Sequence, residues 1–556
     1  MPVPVSRRNI FFIAIAAALL LLYIVPLGSY PLMEPDEGRY AEIPREMIAS
    51  GNYITPMLNY VKYFEKPALL YWMNAASFHI FGENEFAARV GVALCALLGA
   101  AATALLGAFM YGKIAGFIAG VVTATSLLYF AIGTINITDM PLSAFMTAAF
   151  ASFYVAHVRE EKKYYLLFYL FCALALLTKG LVGVVLPGAV IFFYILFTRQ
   201  WKLFYKPLYL PGIALFFAVS LPWFYLVCRD NPDFFRFFFI QEHFLRYSTK
   251  MHGRYEPFWF FLPMIPAALI PWTAFLFSLF SKKSVVRSPG TPEEGRARCY
   301  LLIWFFVILI FFSFSSSKLI PYIVPCLPPL AILIGADIFR MAKSREWHGR
   351  PLLWLSLTSG LLGAALIIYP LFGEHATPAK AWPIALKAGF GLIGMPVTMW
   401  YYTSHGRKKH KEAIRALILC SALFISGLQD VYAIVAPQRT MKEVSEVIIR
   451  EMRDGDTIVA YDEVLQGIPF YTKRRVMMAG SPGELEYGSM QPEGEGWFIS
   501  KEEFLSRWRE RKERFILVVK KNGRFEEIFP DGETGGAEKI ERGKYVILFY
   551  REEAAK

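Results

Sequence analysis

Long uninterrupted apolar segments constrain the fold of this chain more than any other feature of its sequence. Hydrophobic residues make up 56% of its 556 residues and charged residues only 19%, whereas about one quarter of the residues of a soluble domain are charged. A run of about 20 apolar residues is long enough to cross a bilayer as a helix. The chain is therefore predicted to be a helical membrane protein that crosses the bilayer many times.

Hydropathy and length together predict about thirteen membrane helices. The first follows a basic flank and lacks a convincing small-residue cleavage site, so we expect a retained span instead of a removed signal peptide. The fifth and sixth are the least secure, because only "TKG" (178–180) separates them. The predicted spans are 9–30, 87–110, 113–133, 140–157, 163–178, 180–198, 208–228, 257–280, 299–315, 319–339, 352–372, 381–402 and 412–435.

Positively charged residues are unevenly distributed over the loops between these spans. With the N-terminus in the cytoplasm, connections on that side carry roughly 22 Lys and Arg, and short loops on the other side carry roughly three. This asymmetry places the long loops 31–86 and 229–256 outside. An odd number of spans places the C-terminal region outside with them.

The last 120 or so residues change character, because their apolar runs shorten to strand length. Helical stretches at 440–455 and 500–513 fall between these runs, which predicts a small α/β domain with a partly parallel sheet. We therefore predict a membrane domain over 1–435 and an outer α/β domain over 436–556, without a glycine-rich phosphate loop or a nucleotide cofactor. The predicted strands are "TIVAY" (457–461), "RVMMA" (475–479), "GWFIS" (496–500), "FILVV" (515–519) and "YVILFY" (545–550).

The net charge of +13 does not indicate nucleic-acid binding. Cytoplasmic loops of membrane proteins accumulate Lys and Arg, and no basic stripe lies on a soluble module. The six cysteines lie in or beside apolar segments without CxxC spacing, so the sequence predicts neither a disulfide framework nor a thiolate metal site.

The first outer loop carries two helical patterns. "GRYAEIPREMIAS" (38–50) and "KPALLYWMNAASFHIFG" (66–82) place apolar residues at near-helical spacing. We interpret both as helices lying in the membrane interface. The alternative is a packed loop without lipid contact.

Ionisable residues cluster at the predicted outer ends of several spans, where they are costly and therefore indicate function. Each has a structural alternative: Asp139 could cap a helix, Glu65 and Lys66 could be a solvated pair, and His243 a surface histidine. Glu34 and Glu37 are consistent with solvated acids, and we assign neither a role. The candidates are Asp36, Arg39, Tyr63, Glu65, Lys66, Asp139, His243, Arg246, Lys318 and Tyr322, and we expect them to meet in one pocket.

This set suits the transfer of a sugar from a phosphate-linked carrier. A carboxylate such as Asp36, with Asp139 as a second candidate, would accept a proton from an acceptor hydroxyl. The cations Arg39, Lys66, Arg246 and Lys318 would stabilise the departing phosphate. As a secondary prediction, Glu65 and His243, with Tyr63 nearby, could hold a divalent ion such as Zn²⁺.

The motifs resemble those of a known family. "PDEGRYAEIPREM" (35–47), "YFEKPALLYW" (63–72) and the aspartate of "NITDMPLS" (136–143) are similar to the bacterial aminoarabinose transferases, which belong to the GT-C membrane glycosyltransferases together with protein O-mannosyltransferases. "QEHFLRY" (241–247) and "SSSKLIPYIVPCLPPLAIL" (315–333) extend the likeness over about 9–435. The C-terminal domain is a much weaker match.

The resemblance implies thirteen transmembrane helices, a periplasmic α/β domain and a location in the bacterial inner membrane. It implies an undecaprenyl-phosphate-linked donor, classically of 4-amino-4-deoxy-L-arabinose, and a lipid A phosphate as acceptor. That acceptor is already anionic, so Asp36 would position substrate or the donor's amino group instead of removing a proton. By motif, Asp36 and Asp139 would be the active-site carboxylates, Glu65 and His243 metal ligands, and Lys66, Tyr322 and, less closely matched, Arg246 donor-phosphate ligands.

Other functions remain open at this point. The same outer-loop motifs occur in relatives that transfer other sugars, for example of the mannose type, to other lipid, glycan or protein acceptors. A transporter of lipid-linked sugars is a second class, although transporters favour internal repeats and midplane charges, which this sequence lacks. A receptor or structural membrane protein is a third. The oligomeric state is not readable from the sequence, and we expect a monomer.

Overall fold

The computed structural model describes residues 7–245, 256–344, 350–371, 378–404, 409–521 and 523–550. These residues are mostly helical, as the sequence predicts. The chain forms two compact units: residues 1–27 with 90–432, and residues 28–89 with 433–556. The first outer loop, which we assigned to the membrane domain, thus groups with the C-terminal region.

The first unit consists of helices. Two of them, Asp139–Arg159 and the continuous segment Ile320–Ser344, are the most buried spans, so they form the centre of this unit. Its helices, including 3₁₀ and π segments, are Arg7–Ile24, Glu85–Tyr111 (from Val90 onward), Lys113–Ala124, Leu127–Gly133, Asp139–Arg159, Lys163–Lys179, Val182–Thr198, Trp201–Phe204, Leu210–Asp230, Arg236–Leu245, Phe261–Ala268, Thr273–Ser278, Pro292–Phe314, Ile320–Cys326, Leu327–Ser344, Arg350–Leu355, Ser356–Gly360, Leu361–Ile368, Tyr369–Leu371, Pro378–Thr403 and His410–Val435.

Each of the thirteen predicted spans contains helix, but the count of thirteen is not confirmed. Within the described ranges, 8 helices are long and apolar enough to cross a membrane, or 9 if Lys113–Ala124 and Leu127–Gly133, bent by 64°, form one span. The predicted span 257–280 is interrupted at 269–272, where Pro271 cannot donate a helical hydrogen bond. The predicted fifth and sixth spans are helices of only 17 residues each.

The second unit begins with the first outer loop. Its helix Asp36–Ser50 is buried from Glu37 to Met47, so it packs inside the protein, which agrees with the alternative reading of a packed segment. A short hairpin of β1 (Met57–Leu58) and β2 (Val61–Lys62) turns at two residues with positive φ, Asn59 and Tyr60. The helix Leu69–Phe81 follows.

The remainder of the second unit is a six-stranded sheet with short helices. The strands are β3 (Thr457–Tyr461), β4 (Val476–Ala479), β5 (Phe498–Ile499), β6 (Phe515–Lys520), β7 (Glu538–Arg542) and β8 (Tyr545–Phe549), in the order β5-β4-β3-β6-β8-β7. The first four in this order pair in parallel, and β8 pairs antiparallel with both β6 and β7, which confirms the predicted partly parallel sheet. The helices are Ala436–Arg439, Lys442–Glu451, Gly467–Thr472, Gly483–Leu485, Glu486–Ser489, Pro492–Gly494, Lys501–Glu510 and Arg524–Ile528.

The strand β7 was absent from the sequence prediction. Its sequence "EKIER" is charged, and it lies at the edge of the sheet, where one side of the strand stays unpaired. The inner strands are buried on both faces and read as continuous apolar runs, which is typical of parallel sheets.

Candidate active site

The first turn of the helix Asp36–Ser50 presents two predicted site residues on one side. Asp36 and Arg39 are three positions apart and therefore neighbours on a helix surface. The Arg39 Nη2 lies 3.5 Å from Asp36 Oδ1. The Asp36 side chain is 55% exposed whereas that of Arg39 is 9% exposed. A ligand can therefore reach the carboxylate, while the buried guanidinium contacts it from the protein side.

Arg39 joins three segments of the second unit: its own helix, residues 63–65 and the short helix Gly483–Leu485. Its Nη1 donates to the Tyr63 hydroxyl at 3.0 Å and lies 4.0 Å from Glu65 Oε2, while its Nη2 lies 3.0 Å from Glu484 Oε2. A guanidinium has several donors in a fixed plane and can organise several acceptors at once. Arg39 therefore fixes three carboxylates and a phenol around one positive charge.

Lys66 adds a second cation to this group. Its Nζ lies 3.7 Å from Glu65 Oε2 and donates to the main-chain oxygen of the same residue at 2.9 Å. Both side chains are largely buried, so the solvated-pair alternative does not hold. The cluster thus contains two cations and three carboxylates, and it could bind a ligand that carries both charges.

Glu34 anchors the entry to the helix and is not the solvated acid that the sequence suggests. Its carboxylate accepts hydrogen bonds from the main-chain N–H groups of Gln466 (3.1 Å) and Gly467 (2.6 Å). A Cβ at Gly38 would lie 2.7 Å from Glu34 Oε1 and 2.8 Å from the nitrogen of Gly467. Glycine at position 38 therefore permits this close approach of the two segments.

Glu37 is also structural. Its carboxylate receives two hydrogen bonds of 2.7 Å from Arg89, and both side chains are buried. Arg89 also donates to the main-chain oxygens of Tyr30 and Pro31. Arg89 thereby ties the start of the loop to the helix Asp36–Ser50. Breaking this buried bidentate pair would leave an uncompensated charge.

The carboxyl ends of the parallel strands carry the residues that complete this group. Gln466 and Gly467 follow β3, and Glu484 lies in the connection after β4. In α/β sheets, loops at the carboxyl ends of parallel strands are the usual location of binding sites. The sheet therefore supports the helix that carries Asp36 and Arg39, and it contributes Glu484.

Burial changes the protonation of two of these acids. It raises the pKa of Glu484 to about 7, an effect that Arg39 opposes and that Glu65 and Asp36 reinforce. Burial likewise raises the pKa of Glu34 to about 8, although two main-chain N–H groups favour its charged form.

These shifts predict a dependence of stability on pH. When the folded-state pKa of an acid lies above its unfolded value, the folded protein binds the proton more tightly, so stability decreases as pH rises between the two values. We expect the midpoint temperature of thermal unfolding to decrease as pH rises from about 4.5 to about 8. Glu34→Gln should make this decrease smaller. Glu486→Gln is the control, and an equally steep profile in Glu34→Gln would contradict the assignment.

A second group of predicted residues lies in the first unit. Asp139 begins the helix Asp139–Arg159, and its Oδ1 lies 2.6 Å from Lys179 Nζ. The same ammonium lies 4.7 Å from the centre of the Tyr322 ring. The helix of Asp139 packs against those of Lys179 and Tyr322. The N-cap position of this helix is Thr138 and Asp139 is its first helical residue, so the helix-cap alternative does not explain it.

The structure places the other predicted residues as follows. Lys318 is buried and donates to the main-chain oxygens of Glu256 (2.8 Å) and Ser315 (2.7 Å), so two of its three N–H groups hold a loop; its phosphate role stays a prediction. His243 belongs to the π-helix Arg236–Leu245, but its side chain and all of Arg246 lie outside the described residues. Because the two groups belong to different units, the predicted single pocket stays a prediction.

Two site residues were absent from the sequence prediction. Lys179, in the short "TKG" segment, ends an apolar helix, and an ionisable residue at such a position could have been chosen on the same criterion as Asp139. Glu484 has no such signal, because only the fold brings position 484 to position 39.

Two family models match parts of the chain. Residues 65–226 match the one described as dolichyl-phosphate-mannose-protein mannosyltransferase, and residues 444–527 match the aminoarabinose transferase C-terminal domain.

Full-length relatives decide the assignment. The chain is 32% identical to "undecaprenyl phosphate-alpha-4-amino-4-deoxy-L-arabinose arabinosyl transferase 1" of Proteus mirabilis, over 90% of this chain and 91% of the relative. It is 30% identical to the transferase of that name, without the numeral, from Aeromonas salmonicida, over 93% and 94%. This chain belongs to the aminoarabinose arabinosyl transferase family.

The fold agrees with membership of the aminoarabinose arabinosyl transferase family. ArnT from Cupriavidus metallidurans, solved bound to undecaprenyl phosphate, superposes with a TM-score of 0.82 at 26% identity and covers 97% of both chains. The predicted GT-C fold with a C-terminal α/β domain is therefore confirmed. This protein is a multi-pass membrane glycosyltransferase, as its motifs predict.

Proposed function

We propose that this protein transfers 4-amino-4-deoxy-L-arabinose from undecaprenyl phosphate to a phosphate group of lipid A, on the periplasmic side of the bacterial inner membrane. The observation that carries the proposal is the group formed by the cations Arg39 and Lys66 and three carboxylates, in a member of the aminoarabinose arabinosyl transferase family. The cation asymmetry of the loops supports the periplasmic orientation.

The charges of this group fit the proposed donor. An aminoarabinose phosphate carries an anionic phosphodiester and a cationic amino group, so it needs cations and carboxylates side by side. Lys66 and Arg39 would bind the phosphate, and the exposed carboxylate of Asp36 would bind the amino group. A neutral sugar would offer no cation to the exposed carboxylate of Asp36, and this favours the amino sugar over a mannose-type donor.

The reaction needs no general base in this scheme. The bond between the sugar C1 and the carrier phosphate oxygen breaks, and an ionised oxygen of the acceptor phosphate forms the new bond to C1. Undecaprenyl phosphate leaves as an anion whose developing charge must be neutralised. If the two groups share one pocket, as the sequence predicts, Lys179, held by Asp139 at 2.6 Å beside Tyr322, would be a further cation for this purpose.

The direct test is mass spectrometry of lipid A from cells that express the wild-type protein, Asp36→Asn or no copy. We expect lipid A to gain the mass of one aminoarabinose only in cells that express the wild-type protein. An increment of a different sugar, or modification of a different acceptor, would replace the proposed substrates. Unchanged lipids together with altered movement of the carrier would indicate a transporter.

Lys66→Ala is expected to weaken donor binding more than acceptor binding. Loss of a charge-assisted hydrogen bond to a phosphate should reduce affinity for undecaprenyl phosphate by about tenfold or more. Binding of the purified protein to undecaprenyl phosphate measures this effect. Lys62→Ala is the control, because Lys62 lies on β2 of the same loop but pairs with Glu493 at 3.8 Å. Equal affinity in the two variants would exclude the phosphate role.

The predicted metal site remains a separate hypothesis. Among the residues that the structure describes, no group of three His, Cys, Asp or Glu side chains could hold a metal ion. Glu65 lies beside two cations and Tyr63 accepts from Arg39, and this setting disfavours a metal at these two residues. If Glu65 and His243 nevertheless bind Zn²⁺, chelation should abolish transfer and readdition should restore it. Full activity of a protein shown to be metal-free would reject the site.

A further inference from the structure

An apolar cavity in the first unit is not used by the proposed reaction. It has a volume of about 420 Å³, within the roughly 300–1,000 Å³ of ordinary small-molecule sites. Its walls come from Lys163–Lys179, Val182–Thr198 and Leu210–Asp230, with the short helix Trp201–Phe204 and Pro207 beside them. None of the lining residues is charged, and the Tyr169 hydroxyl already donates to the oxygen of Pro207 at 2.7 Å. The cavity therefore suits a hydrocarbon chain.

The cavity lies away from the candidate active site of the first unit. Cys172 is the cavity-lining residue of this helix that is nearest to Lys179 in sequence, and the two are separated by about 10 Å along the helix axis, at about 1.5 Å per residue. Lys179 ends this helix on the predicted outer side. The cavity lies toward the other end, beside the loop 198–206 that the cation count predicts to be cytoplasmic.

The helix Val182–Thr198 keeps this space open. Pro187 and Gly188 line the cavity together, and a Cβ added at Gly188 would have no neighbour within 4 Å. The glycine therefore leaves unfilled a space that almost any other side chain would occupy. Gly188 is exposed, so the cavity opens to the surface of this unit here, where an acyl chain could enter it.

The loop beside the cavity carries the features of a phospholipid headgroup region. Trp201 and Tyr205 are exposed next to the lining residues Leu203 and Phe204, and these aromatic types are enriched at membrane interfaces. Arg199 and Lys202 are exposed cations in the same loop. Lys206, by contrast, pairs with Glu160. Basic clusters at cytoplasmic helix ends attract anionic lipid headgroups.

We propose that this cavity binds an acyl chain of an anionic bilayer phospholipid whose headgroup phosphate contacts Arg199 and Lys202. Two observations carry this inference: an apolar void bordered by Gly188, and exposed cations next to its wall. The site is separate from donor binding, so it concerns retention of a structural lipid and does not depend on the proposed reaction.

The test is native mass spectrometry of the detergent-purified protein after exchange into nanodiscs of phosphatidylglycerol or phosphatidylcholine. Wild-type protein should retain phosphatidylglycerol in preference. The double variant Arg199→Ala, Lys202→Ala should reduce this retention by about tenfold or more. Gly188→Leu should fill the cavity and lose both lipids. The control Lys282→Ala, Lys343→Ala removes two exposed cations from other predicted cytoplasmic loops and should retain the lipid.

Several results would overturn the inference. These are equal retention of the two phospholipids, equal loss in the two double variants, unchanged retention in Gly188→Leu, or recovery of a polyprenyl phosphate in place of the phospholipid. If Gly188→Leu does not fold, the double variants decide the case, because their substitutions lie on the surface.

Discussion

Replacing Asp36 by asparagine is expected to reduce sugar transfer by about 10²–10³-fold, the loss typical of removing one preorganised electrostatic group from a reaction centre. The substitution preserves shape but removes the charge that would hold the amino group of the donor. Asp36 is more than half exposed and lies 3.5 Å from Arg39, so the fold should tolerate the change. Transfer of radiolabelled aminoarabinose to lipid A by purified protein measures the effect.

The matched control for Asp36 is Asp454→Asn. Asp454 belongs to the same unit and is fully exposed, and its carboxylate lies 3.9 Å from Arg474. The two variants make the same chemical change, and both should unfold at the wild-type temperature. Wild-type turnover by Asp36→Asn, or an equal loss in both variants, would remove Asp36 from the site.

The pair of Asp139 and Lys179 is expected to act as a unit. Lys179→Met should lower transfer by about 10²-fold, because removing one partner of a partly buried ion pair leaves the other charge uncompensated. Asp139→Asn should cost a similar amount, and the double variant should lose much less than the product of the two losses. Turnover of the four proteins, measured with saturating and with limiting donor, completes the cycle.

A second ion pair in the same unit supplies the control for this cycle. Lys387 Nζ and Asp430 Oδ2 are 2.7 Å apart, almost the separation of Lys179 and Asp139, but both side chains are more than a third exposed. Exposed pairs of this kind contribute little. Lys387→Met and Asp430→Asn should therefore leave transfer unchanged. Independent, multiplicative losses at Asp139 and Lys179 would show that the pair does not work together.

The sequence predicted the membrane part well because bilayer crossing is a local property. A long apolar run in a bilayer must satisfy its main-chain N–H and C=O groups within the segment itself, and a helix does so whatever surrounds it. All thirteen predicted segments accordingly contain helix. Their continuity was less predictable, since the break at 269–272 and the bend between 124 and 127 each occupy only a few residues of an otherwise apolar run.

The sequence also predicted part of the candidate site. Asp36, Glu65 and Lys66 were identifiable because charged residues beside a membrane span are costly and demand an explanation. Glu34 and Glu37 were misread as solvated, because nothing local shows that the main chain of Gly467 or the guanidinium of Arg89 meets them.

By itself, the sequence determined a helical membrane glycosyltransferase with an α/β domain, because hydropathy, loop charge and short motifs are read along the chain. Only the tertiary structure decided which charges meet. The contacts of Arg39 with Glu484 and of Asp139 with Lys179 join distant positions. Such contacts depend on how the helices and the sheet pack, and no local pattern of charged residues in the sequence reveals that packing.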